Sequence, residues 1–232
     1  MKRLQLCFRI FAWLALVFFC ALLVYNCLPY FHAPRTHAFV WEKGLLAERP
    51  VWLTALVIHV VAGAICLISS LLQFFRPLLR RAPQLHRWLG RIYVGSILLF
   101  VCPTGFYLAF FAHGGWRGIM GFLLLGVLTT WTTWQGWVAM RRHQVQQHVM
   151  WMIRSFAMIT TALTFRIEHI VFQEIGLAAE IGFLAALYLS IIGNAIVAEW
   201  LLWRMRRKKN TTHHQPNNYE TKTVISVPAA IR

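Results

Sequence analysis

The chain reads as an all-α polytopic membrane protein, a bundle of six transmembrane helices with both termini cytoplasmic (N-in/C-in). Three observations lead there. Of its 232 residues, 59% are apolar. They fall into six runs of about 20 residues or more, the length that a helix rising about 1.5 Å per residue needs to cross about 30 Å of hydrocarbon. Arginines and lysines mark alternate ends of these runs, while Glu42, Glu48, Glu174 and Glu180 gather at the other ends. The positive-inside rule then places the basic ends in the cytoplasm.

The first run, Phe8–Leu28, has Lys2, Arg3 and Arg9 at its start. It opens like a signal peptide but is too long for a signal core, and no A-x-A site comes after it, so it reads as a retained helix. A long external loop, Pro29–Pro50, leads to the second run, Val51–Phe74. Loops of that length are either functional or disordered, and composition leaves both readings open. Arg76, Arg80, Arg81 and Arg87 lie ahead of the third run, Trp88–Phe111, in which Pro103 predicts a bend. Arg117–Met140 is the fourth run and Val149–Phe172 the fifth, with Arg141 and Arg142 between them. Leu177–Trp203 is the sixth, followed by the basic stretch from Arg204 to Lys209. The expected organisation is a six-helix domain over 1–205, with its core at 51–172, and a disordered cytoplasmic tail over 206–232. That tail is polar and has no helical period.

The formal charge of +16 does not point to nucleic acid, because the cations sit at helix ends and not on one face. Anionic lipid headgroups at the cytoplasmic helix ends explain them. The five cysteines have no CxxC spacing and read as small packing residues, not as a metal site. No phosphate loop, nucleophile triad or carboxylate pair appears, so no catalytic residue is assigned. The scarcity of acids weighs against transport chemistry built on buried carboxylates.

Polar residues inside spanning helices are costly and face the bundle interior. In the second run, Trp52, Ala55, His59, Gly63, Cys66, Ser70 and Gln73 fall within about 40° of one direction. His59 lies about 12 Å below the outer edge. In the fifth, His148, Met152, Ser155, Ile159, Ala162 and Arg166 share a face, with His169 at its margin. Arg154 points elsewhere and is expected to snorkel back to cytoplasmic phosphates. Glu168 is the counter-ion available to Arg166. His86, Gly90, Tyr93, Ile97 and Thr104 form the stripe of the third run. The fourth has no histidine; its Trp131, Trp134 and Trp137 read as part of a cytoplasmic aromatic belt.

His86 and His148 thus stand at similar depth near the cytoplasmic side, and His59 lies toward the outer side. Imidazoles facing each other across helices are how membrane bundles hold b-type haems. The plainer readings are interfacial histidines for His86 and His148, and helix–helix hydrogen bonding for His59.

From about Val51 to Arg166 the motifs resemble a family of bacterial predicted membrane proteins of unknown function, the domain-of-unknown-function 2306 type. The matching residues are His59 and Gly63, "LLQF" ending at Phe74, "LHRWLGRIYV" at Leu85–Val94, Gly114-Gly115, Gly121-Phe122, "HVMWMIRSFAM" at His148–Met158, and Arg166. The resemblance implies that His59, His86, His148, Arg154 and Arg166 are characteristic polar residues, and that the chain sits in the inner membrane of a bacterium. More distantly, the arrangement is similar to transmembrane cytochrome b ferrireductases, which hold two haems between paired histidines. There the third and fifth helices share one haem, as His86 and His148 would here. The second haem lacks a fourth-helix histidine and would need His59 paired with His169, or His59 alone.

The leading expectation is haem b-dependent electron transfer, with His86 and His148 as axial ligands, His59 in an outer site and Arg166 on propionates. The redox partner is not identifiable. The alternatives are a cavity for a quinone, lipid or small solute contacted by His59 and Arg166, and a structural accessory subunit.

Overall fold

The computed structural model describes residues 2–74 and 80–213, and every regular element among them is helical. In chain order these are α1 (Lys2–Cys27), α2 (Pro29–His32), α3 (Ala38–Glu42), α4 (Pro50–Gln73), α5 (Pro83–Ala109), α6 (Gly115–Arg141), α7 (Val145–Glu174) and α8 (Ala179–His213). Short 3₁₀ turns at Pro34–Thr36 and Gly44–Glu48 flank α3. The last helix runs to His213, past the expected end of the bundle at 205. The tail beyond it lies outside the described residues, as does Arg76.

Prolines open α4 and α5 at the first helical position, where a missing N–H costs nothing. α6 starts from Gly114, whose φ of +80° suits glycine and whose bare Cα lies against the Leu184 side chain. Inside α5, residues Ser96–Val101 form a π-helical turn, with the Cys102 N–H donating to Ile97 O. It ends two residues before Pro103, whose ring and missing donor do not fit a regular α-turn. The disturbance expected at Pro103 therefore takes the form of a widened turn.

By length and composition, three helices can cross a membrane: Pro50–Gln73, Pro83–Ala109 and Ala179–Arg207. Trp13–Cys27 is a shorter apolar run. The other two expected spans, α6 and α7, are long enough, but glycines, threonines and tryptophans dilute the first and two arginines the second. α4, α5, α6 and α7 close into a ring. α1 packs against the α4–α7 side through Cys20, Leu23, Leu67 and Leu163, and α8 lies along α7 and α6. Large apolar side chains cover the exterior, among them Leu99, Val127, Leu189, Ile192 and Ile196. Contiguous apolar surface on this scale suits a bilayer, not water.

The Pro29–Pro50 segment folds back over one end of the ring. Its Tyr30 and Val40 are buried with Trp52 and Leu56, against Tyr107, Leu108 and Phe111 of α5. His37 accepts a hydrogen bond from Phe39 N and caps α3. The Lys43 ammonium donates to Phe111 O at 2.7 Å, at the C-terminal end of α5, where carbonyls lack helical partners. Burial pulls the Lys43 pKa below the ordinary lysine range, while Glu42 beside it acts the other way.

α7 and α8 are joined by polar contacts. Asn194 donates to Thr161 and Thr164 hydroxyls at 3.1 and 2.9 Å. Arg154 does not reach for phosphates as expected. Its guanidinium forks onto Glu199 through Nε–Oε1 (2.5 Å) and Nη2–Oε2 (3.0 Å), and lies over the Trp151 ring. A carboxylate one helix away offers bidentate pairing without leaving the bundle.

Gly118→Ala should destabilise the protein by about 2 kcal/mol or more, because a Cβ there would lie 1.8 Å from His113 O. Gly63 has open space around it, so Gly63→Ala should be neutral or stabilising by up to about 1 kcal/mol. Thermal unfolding in detergent separates the two. The same assay on a double-mutant cycle of Arg154→Met and Glu199→Gln should return a coupling of about 1 kcal/mol.

Candidate functional site

The inward faces of the ring carry a polar seam that runs from its basic end to the Pro29–Pro50 cap. At the basic end, His86 in the first turn of α5 and His148 in the first turn of α7 lie within electrostatic reach of each other. His148 Nδ1 lies 2.8 Å from Gly136 O of α6. A carbonyl only accepts, so Nδ1 carries a proton, and in the neutral imidazole that leaves Nε2 with the lone pair. Gly136 allows this approach: a Cβ there would collide with the Met152 side chain. The His86 carbonyl accepts from Gln73 Nε2 at 2.7 Å, which ties the start of α5 to the end of α4. His86 Nδ1 is buried and has no hydrogen-bond partner.

About 10 Å deeper, two turns along each helix, Tyr93 follows His86 and Ser155 follows His148. Tyr93 Oη and Ser155 Oγ are 2.8 Å apart, and Ser155 Oγ and Thr133 Oγ1 are 2.7 Å apart. All three residues are at most 1% exposed. Three helices are thus joined at two levels, imidazoles above and hydroxyls below. Next come Cys66 and Cys102 in one buried cluster with Tyr93 and Ile97.

His59 stands beyond the π-helical turn. Its Nδ1 is 2.9 Å from Val101 O and 3.1 Å from Thr104 Oγ1. Thr104 gives its own proton to the Phe100 carbonyl, so it accepts from His59. Again Nδ1 is the donor and Nε2 holds the lone pair. The ring packs on Gly105, with Cε1 3.0 Å from where a Cβ would sit. The single α5 stripe expected from His86 to Thr104 is therefore split in two. The π turn holds about one extra residue, which rotates the remainder of the helix by about 100°. Tyr93 consequently faces α6 and α7, and Thr104 faces α4.

His169 does not join His59. It stacks on Phe165 and meets Phe183 of α8 edge-on, its Nε2 lies 3.2 Å from Gln173, and its Nδ1 is buried without a partner. Arg166 does not pair with Glu168. Its Nη1 donates to Ala162 O at 2.6 Å, and it lies within electrostatic reach of Cys27, Tyr30 and His59. Two residues on, Glu168 points about 200° around the helix. Tyr30, under the cap, keeps its proton: burial pushes its pKa up to about 12, although Arg166 nearby acts the other way.

Trp131, Trp134 and Trp137 are exposed on the outside of α6, while Thr129, Thr132, Thr133 and Gly136 face inward, so the tryptophans lie on the outer surface. Thr133 and Glu199 are polar participants that the stripes do not pick out. The first is hidden in a tryptophan-rich string, and the second belongs to a helix with no polar face of its own. Among the described residues, no group of three or more histidine, cysteine or acidic side chains could hold a metal ion by itself.

An all-helical bundle with an apolar exterior and an inward polar seam defines an integral membrane protein. The chain belongs to the family described as predicted membrane protein (DUF2306), whose profile matches residues 56–203. That range takes in α4 from its second turn, all of α5, α6 and α7, and most of α8. Neither the curated proteins nor the solved structures contain a match to this chain.

Ser155→Ala removes the middle member of the hydroxyl chain and strands Tyr93 Oη. It should cost about 1–2 kcal/mol, more than Thr133→Val, because Ser155 bonds to both neighbours. Thermal unfolding of the two variants checks the order.

Proposed function

We propose that the chain crosses a bacterial inner membrane six times with its basic ends in the cytoplasm, and that His86 and His148 bind one b-type haem there for electron transfer. The observation that supports the haem reading is the electrostatic proximity of these two imidazoles, which are 62 residues apart in sequence. His148 would hold the iron through Nε2, since its Nδ1–H is held by a backbone carbonyl. His86 leaves a buried ring nitrogen unpartnered, an orphan of the kind that a bound group resolves. Two imidazoles and no carboxylate suit haem iron better than a bare divalent ion.

The chain's own residues do the positioning. Gly136 O fixes the His148 tautomer and ring plane, and Gln73 anchors the α5 backbone at His86. The Tyr93–Ser155–Thr133 hydroxyls hold the three helices at a constant spacing below. Haem, when bound, supplies reversible one-electron chemistry. Arg166 serves a different place, since it lies about 27 Å along α7 from His148. His59 and His169 pack in separate interfaces, so neither supports a paired outer site.

Full-length protein expressed with added haem should give a reduced-minus-oxidised spectrum with a sharp α-band and a low-spin bis-imidazole signal. His86→Ala and His148→Ala should each abolish the low-spin signal, while His59→Ala leaves it intact. A wild-type preparation without a reducible Soret band, or a signal unchanged in both variants, removes the haem reading. Lowered stability alone in the same variants would instead mark the seam as structural.

A further inference from the structure

The Pro29–Pro50 cap is gripped to the bundle through α3, a helix of five residues that starts at a histidine. The His37 carbonyl accepts from Val40 N and Trp41 N at 2.9 and 3.2 Å, and its imidazole Nδ1 accepts from Phe39 N at 3.2 Å. The same ring lies against Tyr30 of α2, with centroids 4.5 Å apart. α3 and the residue after it then hold the bundle in three ways. Val40, 1% exposed, is buried in one cluster with Tyr30, Trp52 and Leu56. Phe39 stacks on Trp52 of α4 with ring centroids 6.5 Å apart. Lys43 donates to the Phe111 carbonyl at 2.7 Å, with its ammonium 5.5 Å from the Phe39 centroid.

Nδ1 accepts only while it has a lone pair. A neutral imidazole that accepts there carries its proton on Nε2, whereas the protonated ring donates from both nitrogens. Protonation therefore turns the partner of the Phe39 N–H into a second donor set against it. Histidine is the side chain that makes this change across the physiological pH range. The other charged or titratable groups on the elements around it are Tyr30, Arg35 in the preceding turn, Glu42 and Lys43 at the far end of α3, Glu48, and Tyr107 on α5. Among the described residues, neither acid forms an ion pair with His37 that would offset a charge on it.

We propose that His37 is a pH-sensitive latch. With a neutral ring it starts α3 and holds the cap closed; on acidification it loses the Phe39 hydrogen bond and lets the cap open over Trp52 and Leu56. The sign follows from the closed state, which needs the unprotonated Nδ1: closure is complete at the alkaline side and is lost as pH falls. The latch shares no residue with His86 and His148, so it holds whether or not haem binds there.

Amide hydrogen exchange of the full-length protein in detergent, at pH 8 and pH 5.5 and corrected for the intrinsic rate at each pH, reads the opening. Protection over 38–48 should fall about five-fold at the lower pH, the effect of losing one helix start. α6 should keep its protection. His37→Asn supplies a side chain that caps helices without titrating, so protection should stay at the high value at both pH values. His37→Ala should show the low value at both. Should His37→Ala not fold, wild type against His37→Asn decides. Equal wild-type protection at the two pH values overturns the proposal, as does an equal fall in α6. So does a fall of the same size in His37→Asn, which would assign the response to another group such as His32, Glu42 or Glu48.

Discussion

A polar group inside a bilayer must find its partner within the protein, and this constraint organises the whole bundle. The chain places imidazole, hydroxyl, thiol and guanidinium groups along the inward faces of four helices. Many hydroxyls, such as those of Ser69, Ser70, Thr129 and Thr132, bond back to carbonyls of their own helix, and a smaller set reaches across to a neighbour. Gln73 holds α5, Gly136 holds His148, Thr104 and Val101 hold His59, and Ser155 bridges two helices at once. Apolar packing between lipid-embedded helices has no hydrophobic drive to supply register, so these polar joints, together with the close approaches at Gly121 and Gly136, supply it. The few nitrogens left without partners, at His86, Trp52 and His169, stand out because the rest of the seam is so completely paired.

Much of this was legible in the sequence because helical periodicity converts spacing into direction. The stripes on α4 and α7 correctly place His59, Ser155 and His148 inward, and the alternation of tryptophan with threonine in α6 resolves into outside and inside. His86 and His148 each stand in the first turn of a helix, and in the fold they lie within electrostatic reach of each other. Hydropathy is less even than the six runs suggest. α6 and α7 are diluted by the small and polar residues that build the seam, so the helices richest in site residues look least like membrane spans.

What periodicity cannot show is a change of phase or a partner on another helix. The π-helical turn at Ser96–Val101 rotates the second half of α5, so Thr104 leaves the face of Tyr93 and turns to His59. A stripe drawn through both assumes a regular helix. Arg154 looks like a snorkelling cation until Glu199, 45 residues away, is seen beside it. Glu168 looks like the counter-ion of Arg166 because it is near in sequence, whereas two helical residues place side chains on nearly opposite sides. The cap was illegible for another reason: its short turns take their order from Trp52, Tyr107 and Phe111, not from any pattern of their own.

The three hydroxyls below the histidine pair have a property that a carbonyl or an ammonium lacks. In Tyr93–Ser155–Thr133, either atom of each pair can be the donor, so the row can run its dipoles from α5 toward α6 or the reverse. Switching between the two settings takes only rotation about C–O bonds, with no movement of a helix. A reversible row keeps both of its hydrogen bonds in either setting, within a framework that stays still.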